Sequence, residues 1–226
     1  MIIAKRKPLD QIMEMLAPYN QICVLGCGAC VTVCMAGGQK EAEELAALIR
    51  IHRKKENRNG RVESFTVERQ CEYEYIDQVL ERLKGFDIIL TLACGVGPQT
   101  LVEHAADLLV LPGVNTTSMG YPKEQGVWVE RCLGCGDCIL HLTQGICPIT
   151  RCAKSILNGP CGGSAEGKCE LGQDIECAWH LIHDRLSALG CLDNLSEIQP
   201  LKNWSVSHHG GPRTTVREDV RVERGE

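Results

Sequence analysis

Fifteen cysteines in 226 residues are the feature that most limits what this chain can become. They are clustered: six lie between residues 23 and 94, and nine lie between residues 132 and 191. An odd number does not close a disulfide framework. The amino-terminal stretch MIIAKRKPLDQIMEML carries basic residues, but no small-residue cleavage site follows an apolar core, so no signal peptide is expected. No membrane span is expected either, because the apolar run from Ile22 to Gly38 is broken by four cysteines and four glycines. The expected compartment is the cytoplasm, where disulfides are rare and clustered cysteines read as metal ligands or redox groups. At 44% hydrophobic residues the chain can bury a core, although aromatics make up only 4%. A net charge of -5 argues against non-specific nucleic-acid binding.

Three parts are expected: residues 1–125, 126–192 and 193–226. The first alternates strand-like and helix-like segments. Pro8 opens a short amphipathic helix bearing Leu9, Ile12, Met13 and Leu16. Strands are expected at Gln21–Leu25, Glu63–Val67, Phe86–Leu92 and Leu108–Leu111, with helices over Glu41–Arg53, Glu74–Leu83 and Thr100–Ala106. The basic run from Arg53 to Gly60 reads as a solvated loop. The expected fold class is α/β. An open parallel sheet comes first, with cysteines at its strand carboxyl ends; a small cysteine-rich iron-sulfur domain and a polar tail follow.

Open parallel sheets bind ligands beyond their strand carboxyl ends, and Cys27, Cys30 and Cys34 follow the first of these strands. Cys71 follows the second and Cys94 the third, so these five are candidates for four iron ligands. Gly26-x-Gly28 lacks the third glycine of a dinucleotide fingerprint, Val31 standing in its place, and no acidic residue follows at the usual distance. Glycines here read better as room for backbone to wrap a bulky thiolate-bound centre. Cys23, inside the strand, is expected in the core.

In the second part, Cys132, Cys135 and Cys138 form a C-x2-C-x2-C run, and Cys147-Pro148 follows. The run resembles the bacterial ferredoxin pattern with a longer final gap. Cys152, Cys161, Cys169 and Cys177 complete eight cysteines in 46 residues. Eight thiolates suit two four-iron cubanes, or equally two zinc sites of four thiolates each. The triplet favours iron, because zinc sites pair one C-x2-C with a distant second. How the eight divide between two sites is open. Cys191 reads as a packing residue, and His180 and His183 as surface helix residues. Asp87, Glu103 and Asp107 show no pairing that suggests acid–base work, no Ser-His-Asp or Cys-His arrangement stands out, and no flavin site is readable.

Several stretches carry a family resemblance. They are Gly26-Cys27-Gly28-Ala29-Cys30 with Cys34, Arg69-Gln70-Cys71, Leu92-Ala93-Cys94-Gly95-Val96-Gly97, Asn115-Thr116-Thr117, Asn158-Gly159-Pro160-Cys161-Gly162-Gly163-Ser164, Gly167-Lys168-Cys169-Glu170 and Cys177-Ala178-Trp179-His180-Leu181-Ile182. Over about residues 20 to 190 the chain resembles the MetV family. This is the iron-sulfur small subunit of acetogen-type methylenetetrahydrofolate reductase, also written as the methylenetetrahydrofolate reductase C-terminal domain. The resemblance implies a non-catalytic subunit that passes electrons to the FMN of a TIM-barrel partner, which reduces 5,10-methylenetetrahydrofolate to 5-methyltetrahydrofolate. It also implies a further electron-input subunit or ferredoxin as donor. Three [4Fe-4S] clusters are expected, one in the first part and two in the second. The other readings are a zinc-binding assembly subunit, and an adaptor of a heterodisulfide-reductase or corrinoid system. The tail, with Trp204 and a mixed-charge end, shows no period; it is expected to be mobile alone and to order along the flavoprotein partner.

Overall fold

The computed structural model describes residues 1–221. The chain divides into two compact units, Met1–Glu130 and Arg131–Glu226. The division follows a β-hairpin that belongs wholly with the first unit's strands except for its last two residues.

In the first unit β1 (Ile2–Arg6), α1 (Leu9–Leu16), β2 (Gln21–Cys27), α2 (Cys30–Val33) and α3 (Gln39–Lys55) lead into β3 (Arg61–Val67). Then come α4 (Tyr73–Asp77), α5 (Leu80–Leu83), β4 (Ile88–Thr91), α6 (Val96–His104), β5 (Val110–Pro112) and the hairpin β6 (Val114–Glu124) and β7 (Val127–Cys132). Four strands form a parallel sheet in the order β3-β2-β4-β5, with Val24 of β2 opposite Ser64 and Leu90. Alternation along the central strands feeds both faces. Ile22, Val24, Ile88 and Leu90 pack with Ile12, Leu16, Leu45 and Ile49 of α1 and α3. Cys23, Leu25 and Ile89 pack with Ile76, Leu83 and Leu101 on the other side. A strand covered on both faces needs no polar alternation, which explains the unbroken apolar run at β2. Each such aliphatic side chain contributes about 1.5–3 kcal/mol on burial.

The sheet departs from expectation in four places. Ile2–Arg6 is a strand, pairing antiparallel with β6 so that Ile2 lies opposite Met119. With β7 these strands make a second sheet, β1-β6-β7, whose tight turn uses a left-handed Gly126 (φ 84°). The helix expected over Glu74–Leu83 breaks into α4 and α5, because the Val79 N–H tightens onto the Ile76 carbonyl at 3.0 Å. Arg53 does not belong to a solvated loop. It lies in the last turn of α3, only 5% exposed, and its guanidinium donates to the Tyr19 carbonyl (2.9 Å), Asn20 Oδ1 (3.0 Å) and the Asn59 carbonyl (3.2 Å).

The second unit holds α7 (Pro148–Arg151), a small antiparallel sheet β10-β9-β8 and α8 (Ala178–Ala188). The strands are β8 (Ser164–Ala165), β9 (Lys168–Cys169) and β10 (Gly172–Glu176). Its apolar core is Trp179, Ile182 and Leu186 on the inner face of α8. The Cys191 N–H closes the end of α8 onto the Leu186 carbonyl (2.8 Å), with Gly190 left-handed at φ 66°. Beyond it the chain runs through short 3-10 turns at Leu192–Leu195, Trp204–Val206 and His208–Gly210.

That final stretch was expected to be mobile alone; as far as Arg213 it makes hydrogen bonds to its own chain. The backbone of Gln199 exchanges two hydrogen bonds with the Asn158 side chain (2.7 and 2.9 Å). Lys202, its side chain 1% exposed, donates to the Asp137 carbonyl and pairs with the Asp137 carboxylate at 3.4 Å. Arg213 donates to the carbonyls of Val206 (2.6 Å) and Gly134 (3.1 Å). Residues 222–226, the end of the expected tail, lie outside the described residues.

Candidate metal centre

The parallel order places a topological switch point between β2 and β4, because the connections from these neighbours leave in opposite directions. Cys27 ends β2 and Cys94 follows β4, so the two flank the crevice. Cys71 follows β3 on the same edge. The Cys71 thiol is pushed up, first by desolvation and then by the thiols of Cys27 and Cys94 and the carboxylate of Glu72. Cys30 and Cys34 are a second pair, one helical turn apart at the ends of α2. Burial raises the Cys34 thiol, with Cys30 adding to it, and Cys34 Sγ donates to the Ile2 carbonyl at 3.5 Å. Cys23 is wholly buried and its thiol is pushed up to about 12, chiefly by desolvation.

Gln70 ties these loops together and was not singled out by its residue type. It is fully buried beside Cys71. Its amide donates to the carbonyls of Leu25 and Gly26, each at 2.9 Å, and its oxygen accepts from the Thr91 hydroxyl. Thr91 Oγ1 in turn accepts from the Ala93 N–H (3.2 Å), and Thr116 Oγ1 from the Gly95 N–H (2.8 Å). One amide thus links all three strand ends that carry Cys27, Cys71 and Cys94. It stands in Arg69-Gln70-Cys71, one of the stretches that carry the family resemblance, and its residue type alone does not reveal this role. Gly37 matters for a different reason: a Cβ there would overlap the Leu92 carbonyl, so only glycine lets the loop after α2 pass over β4's end.

In the second unit, Cys132, Cys135, Cys138 and Cys147 all line one cavity of about 310 Å³. Leu133, Ile139, Leu140 and Ile149 supply its apolar wall. Gly134 and Gly136 take left-handed φ of 62° and 84°, which folds the loop back on itself. The Gly134 N–H donates to Cys132 Sγ at 3.3 Å. The cavity has roughly ten times a water's share of liquid volume, so it suits a group much bulkier than one ion.

The other five second-part cysteines have different settings. Cys152 and Cys177 pack against the Trp179 core, and Cys169 is buried on β9. Cys161 is exposed, and its thiol is pulled down by the Gly163 N–H (3.5 Å) and by Lys154, whose ammonium lies 3.7 Å away and pairs with Glu170. Cys191 packs at the edge of the same core. His180 and His183 are exposed and both pair with Asp184, at 3.4 and 3.3 Å. Asp87 serves the fold, accepting from the N–H groups of Asn20 (2.9 Å) and Gln21 (2.8 Å), which hold its carboxyl below the ordinary value. Among the described residues, no group of three or more His, Cys, Asp or Glu converges tightly enough to hold a single metal ion. No helix among them is long and apolar enough to cross a membrane.

Residues 111–205 match the family model described as methylene-tetrahydrofolate reductase C terminal. The match relates this stretch to methylenetetrahydrofolate reductases and to one-carbon metabolism. It spans all four cavity-lining cysteines and ends at the turn that begins with Trp204, while β1 through β4 lie outside it. No curated protein and no solved structure matches the chain.

Proposed function

We propose that this chain is the electron-transfer subunit of a methylenetetrahydrofolate reductase complex. The observation that carries the reading is the cavity lined by Cys132, Cys135, Cys138 and Cys147, which lies inside the stretch matched by the reductase family model. In this reading those four thiolates hold one [4Fe-4S] cluster. Cys152, Cys161, Cys169 and Cys177 hold a second. Four of Cys27, Cys30, Cys34, Cys71 and Cys94 hold a third. A bound cluster supplies reversible one-electron chemistry.

The chain's own residues do the rest. N–H donors such as Gly134 and Gly163 offset thiolate charge. Leu133, Ile139, Leu140 and Ile149 give the cavity an apolar wall, and the polarity around a cluster tunes its potential. FMN belongs to a TIM-barrel partner that binds the folate, and a separate subunit or ferredoxin supplies the electrons.

Iron, zinc and acid-labile sulfide analysis of anaerobically purified protein tests this, with the visible and paramagnetic spectra. Three four-iron clusters give about twelve irons per chain. Cys135→Ala should remove about four of them. Zinc in place of iron, with no visible absorption, would overturn the reading in favour of an assembly subunit. Co-purification with a flavoprotein separates the reductase complex from heterodisulfide-reductase or corrinoid systems.

A further inference from the structure

At the far end of α3, away from the strand ends that carry the cysteines, lies a polar cavity of about 370 Å³. Four cations line it: Arg50, Arg53, Lys54 and Arg58. Among the described residues no carboxylate lines it, and Val62 is its only apolar side chain. Arg53 is the unusual member. The residue is only 5% exposed, yet every acceptor of its guanidinium is neutral: two carbonyls and an asparagine oxygen. Its Nε is buried without any partner. Buried charges are ordinarily paired, since removing one from water without a counter-charge is costly.

The nearest acid in sequence, Glu56, is engaged with His52 at 3.2 Å. Desolvation, then the like charge of Arg58, pulls the Arg53 guanidinium below its ordinary value, and Glu56 opposes this. Basic residues in a last helical turn do complement the helix dipole. That need does not account for Arg50, which donates to the Val62 carbonyl of β3 (2.9 Å), or for Arg58, which donates to the Ala17 carbonyl. Asn57 and Asn59 add neutral side chains to the same rim, Asn57 in a left-handed backbone (φ 54°).

The geometry points to an anion site here that takes the phosphoryl groups of a small diphosphate-class metabolite. Guanidinium forks match phosphate oxygens in pairs, and a lysine adds a mobile point charge. Several cations around one cavity suit a multiply charged anion better than a single carboxylate. With no aromatic face and one valine, the cavity recognises the phosphoryl end and not a base. The site is independent of the cluster reading, since it lies on a different edge of the sheet and needs no cysteine.

The test is calorimetric titration of the full chain with sodium pyrophosphate, inorganic phosphate and ADP at low ionic strength. Pyrophosphate should saturate at one per chain, tighter than phosphate, with ADP no tighter than pyrophosphate. Arg50→Gln combined with Lys54→Gln removes two exposed cations and should weaken binding about tenfold or more. Lys40→Gln, on the same helix but paired with Glu44, should change nothing. An unchanged thermal midpoint in the double variant would show that the fold is intact. Failure of pyrophosphate to saturate by about 10 mM, an affinity too weak for a built site, would overturn the proposal. So would equal binding by the double variant, or an ADP affinity that depends on the base.

Discussion

Gln70 shows how one side chain can decide the shape of a site without touching its chemistry. It is the shared partner of the Leu25 and Gly26 carbonyls and of the Thr91 hydroxyl. Replacing it by leucine keeps the volume but takes the amide donor from the Leu25 and Gly26 carbonyls, of which Leu25 keeps the Leu92 N–H at 2.8 Å, and takes the acceptor from the Thr91 hydroxyl; a buried group left unpaired costs about 1–3 kcal/mol. We expect Gln70→Leu to lower the denaturant midpoint by several kcal/mol in stability terms. It should also lower iron content, while the cavity at Cys132 is unaffected. Normal stability would mean that water replaces the amide. Cys23 makes a prediction in pH. Its thiol is pushed up to about 12 in the fold from an ordinary value of 9.0. Above 9.0 the unfolded chain loses this proton and the folded chain keeps it. Stability from this group is therefore complete below pH 9.0 and declines as the pH rises toward 12. The slope should be about 1 kcal/mol per pH unit, and Cys23→Ala should abolish it. An identical alkaline slope in the variant would remove Cys23 as the cause.

At the scale of elements, the loop after α2 and the segment from Gln199 to Arg213 each depend on close backbone approach. Gly37→Ala puts a methyl into the Leu92 carbonyl, which neither backbone can yield cheaply. A loss of about 3 kcal/mol or more is expected by chemical denaturation. In the second unit, Lys202 and Arg213 hold the carbonyls of Asp137 and Gly134, two residues within the loop that carries Cys132, Cys135 and Cys138. Lys202→Met should free that loop, raising amide hydrogen exchange at residues 133–138 and leaving α8 as protected as before. Unaltered exchange would mean that the loop stands without this strap. The break between α4 and α5 could not be read from a ten-residue apolar spacing, because the tightening at Val79 satisfies packing against Ile76 and Leu83 together.

For the whole molecule, the two units differ in what holds them. The first buries both faces of β2 and β4, whereas the second has one small core around Trp179. Iron chelation should therefore cost protection first in residues 132–152, while β2 and β4 keep theirs; uniform loss across both units would contradict this. The second unit has an apolar core of its own, since Trp179, Ile182 and Leu186 pack together and the Trp179 indole donates to the Ile156 carbonyl at 3.0 Å. What the sequence determined by itself was local and periodic. The apolar run at β2, the helical spacing of Leu45 and Ile49 in α3, and the C-x2-C-x2-C loop each carry their own signal, because period and spacing express short-range geometry. Pairing at a distance came instead from contacts between segments far apart in the chain. Ile2–Arg6 is a strand because β6 lies beside it, more than a hundred residues on. Arg53 is buried because Tyr19, Asn20 and Asn59 supply acceptors from separate segments. Cys27, Cys71 and Cys94 follow neighbouring strands because β2 lies between β3 and β4. Loop closure and burial set these outcomes, and neither is encoded in any one segment.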